Sequence, residues 1–282
     1  VQVRLFNPFS RRSGRVIQLV TRFGSVTRRM HNKSFTVDNQ AAILGGRNIG
    51  DEYFDADPSL AFADTDVLMI GPVVEEVSAS FDKYWNSELA YPATALLERA
   101  PTAEEIQEKF EALKSFVAEQ ADSAYLQALR DSDLANQLRA NRVRFDWGDA
   151  HVVQDEPEKI LAERSEASYH LAPQLRPYFE GVEDELYIFS PYFVPGKQGT
   201  AFLSDLSGRG VRVRVVTNSL ASTDVPVVHS GYAKYREDLL RAGVELYELK
   251  AQPEETPSVK GSRWTGSSRA SLHSKVFIFD RK

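Results

Sequence analysis

One pattern is written twice, far apart, and it limits the fold more than any other feature. His-x-Lys, four residues and Asp occur as HNKSFTVD (His31–Asp38) and again as HSKVFIFD (His273–Asp280). The surroundings repeat as well. VQVRLFN begins thirty residues before His31, and VELYELK begins twenty-nine residues before His273. Each leads through a Ser/Gly/Arg-rich loop into the His-Lys segment. Repetition at this scale predicts two related halves, here residues 1–150 and 151–282.

Short β-branched or aromatic runs bounded by Gly, Pro, Asn or Asp predict strands at Val1–Phe6, Lys33–Asp38, Ala41–Gly46 and Asp64–Gly71. The same signals recur at Glu185–Phe193, Gly210–Asn218, Gly243–Lys250 and Ser274–Asp280. Helical spacing marks Val73–Leu89 through Val74, Val77, Phe81, Trp85 and Leu89. Thr102 followed by Glu105 is a capping box ahead of Ile106, Phe110, Leu113 and Val117. Further helices are expected over 123–140, 158–180, 197–207 and 228–242. Strands alternating with helices predict an α/β protein with mixed sheets flanked by helices. In the second half several elements precede Val244 whose counterparts would precede Val1. In the first half, AAILGGRN and later elements follow Asp38, and their counterparts would follow Lys282. The chain is therefore expected to be a middle piece, with each half incomplete.

On a strand, alternate side chains share a face, so His31 and Lys33 point one way, as do His273 and Lys275. An imidazole beside an ammonium suits a phosphodiester. Cleaving one requires a nucleophile at phosphorus, an acid for the departing alkoxide, and cations or N–H groups for the other oxygens. Two histidines and two lysines supply these without a metal or other cofactor, and small shifts in environment move histidine between its neutral and protonated forms. Asn48, in the following GGRN, is a further phosphate donor, and the two glycines allow close backbone approach. One such motif has little weight, but two of the five histidines used in matching contexts do not arise by accident.

The net charge of −6 gives no general attraction to nucleic acid or anionic lipid. The chain has no cysteine, so disulfides and thiolate metal sites are excluded. The longest dense apolar run, VLMIGPVV (Val67–Val74), is too short to span a bilayer.

HNKSFTVDNQAAILGGRN and HSKVFIFD resemble the paired motifs of the phospholipase D superfamily, in which His-x-Lys, four residues, Asp, six residues and Gly-Ser/Gly-x-Asn recur. The first copy fits throughout. The second reaches Lys282 before its closing Gly-Ser-x-Asn. GGRNIGDEYF, FADTDVLMIGPVVEEVSASFDKYWNS, SPYFVPG and HSGYAKYREDLLRAGVELYEL are similar to bacterial cardiolipin synthases. The resemblance implies two phospholipase D-like α/β halves whose motifs meet in one site. It implies transfer of a phosphatidyl group, through a phosphohistidine, to a phosphatidylglycerol hydroxyl. It makes His31 the nucleophile and His273 the general acid, with Lys33, Lys275, Asp38 and Asp280 completing the catalytic sets; the residues themselves do not separate the two roles. The implied partners are phospholipids and the cytoplasmic membrane of a bacterium, met peripherally from the cytoplasmic side. The alternatives are hydrolysis of the same intermediate, a nuclease, which the acidic balance disfavours, or a phosphate-binding remnant without catalysis.

The resemblance also implies a carboxylate after the first motif that hydrogen-bonds a catalytic imidazole. Asp64 and Asp66 lie there, with Asp66 the candidate and a solvated edge acid the alternative. Asp51 and Glu52 are expected to brace the loop after Asn48. Tyr192, at a strand end, and His229, at a helix start, are pocket candidates. Arg11, Arg12, Arg15, Arg22, Arg28 and Arg29 make the loop before His31 basic, suited to lipid phosphates at a membrane surface.

Overall fold

The structure is a computed structural model that describes residues 1–8, 29–54, 60–163, 166–250 and 270–281. In chain order the strands are β1 (Arg4–Phe6), β2 (Ser34–Val37), β3 (Ala41–Gly45), β4 (Ala61–Ala63), β5 (Asp66–Ile70), β6 (Ala90–Pro92), β7 (Glu185–Phe189), β8 (Arg212–Asn218), β9 (Glu245–Leu249), β10 (Ala270–Leu272) and β11 (Val276–Phe279). The α-helices are α1 (Val73–Trp85), α2 (Ala103–Gln120), α3 (Ala124–Asp131), α4 (Asp133–Arg139), α5 (Leu171–Glu180), α6 (Gly196–Gly208) and α7 (Pro226–Arg241). The protein is α/β, as expected. Arg11, Arg12, Arg15, Arg22 and Arg28 lie outside the described residues. Arg29 is described, and its guanidinium donates to the Asn7 carbonyl at 3.2 Å.

Two compact units form, one from Val1–Met30 with Asp82–His151 and one from His31–Phe81 with Val152–Lys282. Their boundaries differ from those of the repeat halves, 1–150 and 151–282. In the first unit, β1 runs antiparallel to β6 with Leu5 opposite Tyr91. The expected capping box closes on α2: Glu105 N–H donates to Thr102 Oγ1 at 3.2 Å, and Thr102 N–H to Glu105 Oε2 at 2.8 Å. Arg99 also donates to Glu105, and these bonds lower its carboxyl to about 2. The helix expected over 123–140 is two helices. Ser132, with φ −61° and ψ 150°, ends α3 and caps α4 by accepting from Ala135 N–H at 3.3 Å.

In the second unit, β7, β8 and β9 are parallel neighbours, and β11 joins β7 antiparallel with Val276 opposite Phe189. The core beneath contains Leu186, Leu206, Val215 and Leu239, each 0% exposed, so their burial contributes about 1.5–3 kcal/mol apiece. A second sheet orders β2-β3-β5, all antiparallel, and Ala42 on its covered face packs with Val74 and Val77 of α1. Of the helix expected over 158–180, the described residues form α5, which begins after His170, extended at φ −105°, ψ 143°.

A third, short pairing positions the chemistry. β10 runs parallel to β4, with Leu272 opposite Ala63. The Ala63 carbonyl then accepts from His273 N–H at 2.8 Å and from Ser274 N–H at 3.2 Å. Asn218, buried at the end of β8, holds Leu272 from the other side: its amide donates to the Leu272 carbonyl at 2.9 Å and its Oδ1 accepts from Leu272 N–H at 2.8 Å. The backbone entering the second motif is thus fixed on both edges.

Candidate active site

The motifs share local geometry. Lys33 Nζ donates to the His31 carbonyl at 2.9 Å, and Lys275 Nζ donates to the His273 carbonyl at 3.0 Å. Each ammonium is folded back over its own motif. The aspartates match too. Asp38 and Asn39 have φ of 50° and 54°, and Asp280 and Arg281 have φ of 49° and 60°. Two consecutive left-handed residues suit a type I′-like turn, and Asp and Asn tolerate that region better than most side chains. The Gln40 N–H donates to the Val37 carbonyl at 2.9 Å across the first turn. Both aspartates therefore sit beyond the end of a motif strand, opposite to its histidine.

Asp280 performs a definable structural task there. Its Oδ1 accepts from Asp184 N–H at 2.8 Å and Glu185 N–H at 3.0 Å, and its Oδ2 from Glu183 N–H at 3.2 Å. Its own N–H donates to the Glu185 carbonyl at 2.9 Å. This collects the donors at the start of β7 and locks β11 beside it.

His273 is buried, and its Nδ1 lies 2.7 Å from Oδ2 of Asp64, whose carboxylate is 1% exposed. Oδ1 of Asp64 accepts from Thr65 N–H at 2.9 Å. With a carboxylate acceptor at Nδ1, that nitrogen carries hydrogen, and Nε2 is the nitrogen left to face a reactant. Thr65 and Ser274 hydroxyls meet at 2.6 Å and tie the Asp64 segment to the second motif. The orienting carboxylate expected at Asp66 is thus Asp64. Asp66 instead pairs with Arg47, whose guanidinium also donates to the Tyr53 carbonyl at 2.5 Å and reaches the Asp64 carbonyl at 3.5 Å. Gly45 and Gly46 make this possible: a Cβ on Gly45 would collide with the Asp66 carboxylate, and one on Gly46 with both oxygens of Asp64. The close approach anticipated for the glycines is made by these two side chains.

Aromatic rings enclose the imidazole. Tyr53 stands edge-on at 5.1 Å between centroids, Phe62 is tilted at 5.3 Å and Tyr192 stands edge-on at 6.4 Å. Asn48 Nδ2 donates to the Tyr53 hydroxyl at 2.6 Å, so Asn48 lies one hydroxyl away from the ring packed on His273. Asp51 and Glu52 open the short 3-10 turn Asp51–Tyr53, in which the Asp51 carbonyl accepts from Phe54 N–H at 3.2 Å.

Lys275 Nζ lies 3.2 Å from His273 Nε2. Desolvation, partly opposed by Asp64, lowers Lys33 below the ordinary ammonium range. Desolvation likewise lowers Lys275, which feels Asp64, Lys33 and Asp224. The lysines of both motifs are therefore within electrostatic reach of each other and of the carboxylate that holds His273. His31 is exposed just before β2.

Tyr192 thus borders the imidazole. His229 packs edge-on to Tyr232 at 5.5 Å and lines a small cavity with Pro191, Phe193, Thr217, Asn218 and Tyr232. Arg47, Tyr53, Phe62 and Thr65 carried no sequence signal of their own. Among the described residues no group of three or more His, Cys, Asp or Glu side chains is arranged to hold a metal ion, and no helix is long and apolar enough to cross a membrane.

Residues 177–282 match the family described as "Cardiolipin synthase, PLD-like domain". Over its whole length the chain is 41% identical to cardiolipin synthase C of Escherichia coli K12, covering 59% of that protein. It is 30% identical to an uncharacterized protein of Helicobacter pylori 26695 across 99% of this chain and 55% of the relative. It is 29% identical to cardiolipin synthase A of Pseudomonas syringae across 79% of this chain and 36% of the relative. The solved phosphatidylserine synthase of Haemophilus influenzae Rd KW20 superposes with a TM-score of 0.48 and 12% identity, covering 89% of this chain and 51% of that one. The chain spans a little over half the length of the first two relatives. By its paired His-Lys-Asp motifs, the family match over residues 177–282 and the 41% identity to cardiolipin synthase C, the chain is similar to the phospholipase D superfamily.

Proposed function

We propose that the protein carrying this chain is a phosphatidyltransferase of the cardiolipin synthase type. The observation that carries the reading is the contact of His273 with Asp64, a carboxylate whose charge both motifs' lysines feel. His31 attacks phosphorus through an imidazole nitrogen, and the bond to the first alcohol breaks. His273, held by Asp64 at Nδ1, gives its Nε2 proton to the departing alkoxide. The hydroxyl of a second lipid then attacks the phosphohistidine, passing its proton to His273 Nε2 as the P–N bond breaks. Lys33, Lys275 and Asn48 carry the charge on the non-bridging oxygens. Asp38 and Asp280 hold the motif strands rather than touch the reacting atoms. The two sequence halves supply one motif each to this common site, with the imidazoles of His31 and His273 on either side of the phosphorus.

The substrates are phospholipids, with phosphatidylglycerol as the accepting alcohol, and the protein works at the surface of a bacterial membrane from the cytoplasmic side. The matches to cardiolipin synthases support this assignment over the nuclease alternative. Chain-labelled phosphatidylglycerol, incubated with full-length protein in mixed vesicles and separated by thin-layer chromatography, tests it. Labelled cardiolipin is the expected product. Labelled phosphatidic acid alone would make the protein a hydrolase.

A further inference from the structure

Under the function proposed above, phosphate has its partners, and the second alcohol must also be recognised. Two residues stand where it would enter. Tyr192 follows β7 and Asp224 follows β8, and these are adjacent parallel strands. Both residues therefore lie outside the carboxyl ends of neighbouring parallel strands, where open sheets place ligands. The Tyr192 ring stands edge-on to His273 at 6.4 Å, and its hydroxyl donates to Asp224 Oδ2 at 2.8 Å. Burial and this carboxylate raise Tyr192 far above an ordinary phenol, so it remains a donor. Asp224 is exposed, its Oδ1 accepts no hydrogen bond from the described residues, and Lys275 and Tyr53 both feel its charge.

A carboxylate is out of place as a phosphate ligand. It repels a phosphodiester and only accepts hydrogen bonds. Beside two lysines suited to the phosphate, its partner must be a group that donates: a hydroxyl or an ammonium on a lipid head group. Asp224 is exposed and is fixed by Tyr192 through one oxygen, and the other accepts no hydrogen bond from the described residues.

We propose that Tyr192 and Asp224 form the subsite for the accepting head group, with Asp224 Oδ1 taking the hydrogen bond of a glycerol hydroxyl other than the attacking one. The shared chemistry also admits the ammonium of ethanolamine, so the test carries both.

Full-length wild-type and Asp224→Asn proteins are given labelled phosphatidyl donor with glycerol or with ethanolamine as soluble acceptor. The products are divided into transferred lipid and phosphatidic acid. Loss of a hydrogen bond to a charged group raises the KM for the acceptor about 10–100-fold and shifts the partition toward phosphatidic acid. A larger shift with glycerol supports the hydroxyl; a shift confined to ethanolamine overturns the glycerol assignment. Tyr192→Phe keeps the ring against His273 and frees Asp224, and is expected to move the partition the same way by less. An Asp224→Asn protein with the wild-type melting temperature, acceptor KM and partition overturns the subsite, as does lower turnover at an unchanged partition. A wild-type protein that transfers to no alcohol fails differently, because the proposed function itself then falls.

Discussion

His273 Nδ1 and Asp64 Oδ2 lie 2.7 Å apart although 209 residues separate them in the chain. The contact joins the second motif to the segment after the first, and it fixes which imidazole nitrogen faces outward. Asp64→Asn is expected to lower phosphatidyl transfer by about 10²-fold or more, within the usual range of acid–base catalysis. Because the two act as a unit, Asp64→Asn added to His273→Ala should cost little beyond His273→Ala alone. Single-turnover rates of the four proteins check this. Fully additive losses would show that Asp64 acts elsewhere.

Gly46 is the backbone condition for that contact. A methyl group there would collide with both oxygens of Asp64. Gly46→Ala should therefore reduce both the melting temperature and the transfer rate. In an Asp64→Ala background the same change should cost much less stability, since the colliding carboxylate is gone. Thermal melts of the double-mutant cycle measure the coupling, expected at about 0.5–3 kcal/mol.

Much of this was legible in the sequence because it rests on local signals. Short β-branched or aromatic runs between turn residues located the cores of β2, β3, β5, β7, β8, β9 and β11, and the capping box located the start of α2. What failed was short or nonlocal. β4 and β10 are three residues each and pair in parallel with Ala61 opposite Ala270, too short for any period to register. Asp64 and Asp66 share a strand parity, so alternation could not choose between them; Arg47 chooses by binding Asp66. Ser132 is compatible with a helix interior by propensity alone, yet as a cap it divides 123–140 in two. The repeat marked equivalent segments, but the placement of the compact core depends on contacts that a repeat does not encode.

Asp280 should matter for folding before it matters for chemistry. Its carboxylate accepts three backbone N–H groups at the start of β7. Asp280→Ala leaves those donors without it, a loss of about 1–3 kcal/mol for charge-assisted bonds. Urea unfolding should show the lower midpoint, and Asp280→Asn, which keeps an acceptor oxygen, should recover part of it. Unchanged stability in both variants would return Asp280 to the reacting set.

The lysines set the alkaline side of the pH profile. Desolvation lowers both Lys33 and Lys275 from 10.5, with Asp64 opposing in each case. Each therefore loses its proton at lower pH in the folded protein than in an unfolded chain. Below the folded values the partly desolvated ammonium groups cost stability. That cost disappears as pH rises through the folded values, so their contribution to stability increases toward 10.5. Phosphate binding runs the other way and weakens as the ammonium groups are lost. The lipid KM should climb at a pH below 10.5, and Lys33→Arg, which stays protonated, should move that limb upward. A KM flat to pH 10.5 would contradict the desolvation.

The histidines can be told apart by leaving group. With His31 as nucleophile, His31→Ala should abolish covalent capture of substrate phosphorus. With His273 as acid, His273→Ala should slow capture from a phospholipid, whose alkoxide departs poorly without a proton. A nitrophenyl phosphodiester releases a stable anion and needs little protonation. It should still label His273→Ala protein, and peptide mapping should find the phosphorus on His31. General acid assistance contributes about 10²–10⁴-fold, so the contrast between the two substrates is large enough to measure in one rapid-quench experiment. Asp64→Asn should mimic His273→Ala in this contrast, because it acts on the same imidazole. Phosphorus recovered on His273 in protein lacking His31 would exchange the two roles and make Asp64 the orienting group of the nucleophile.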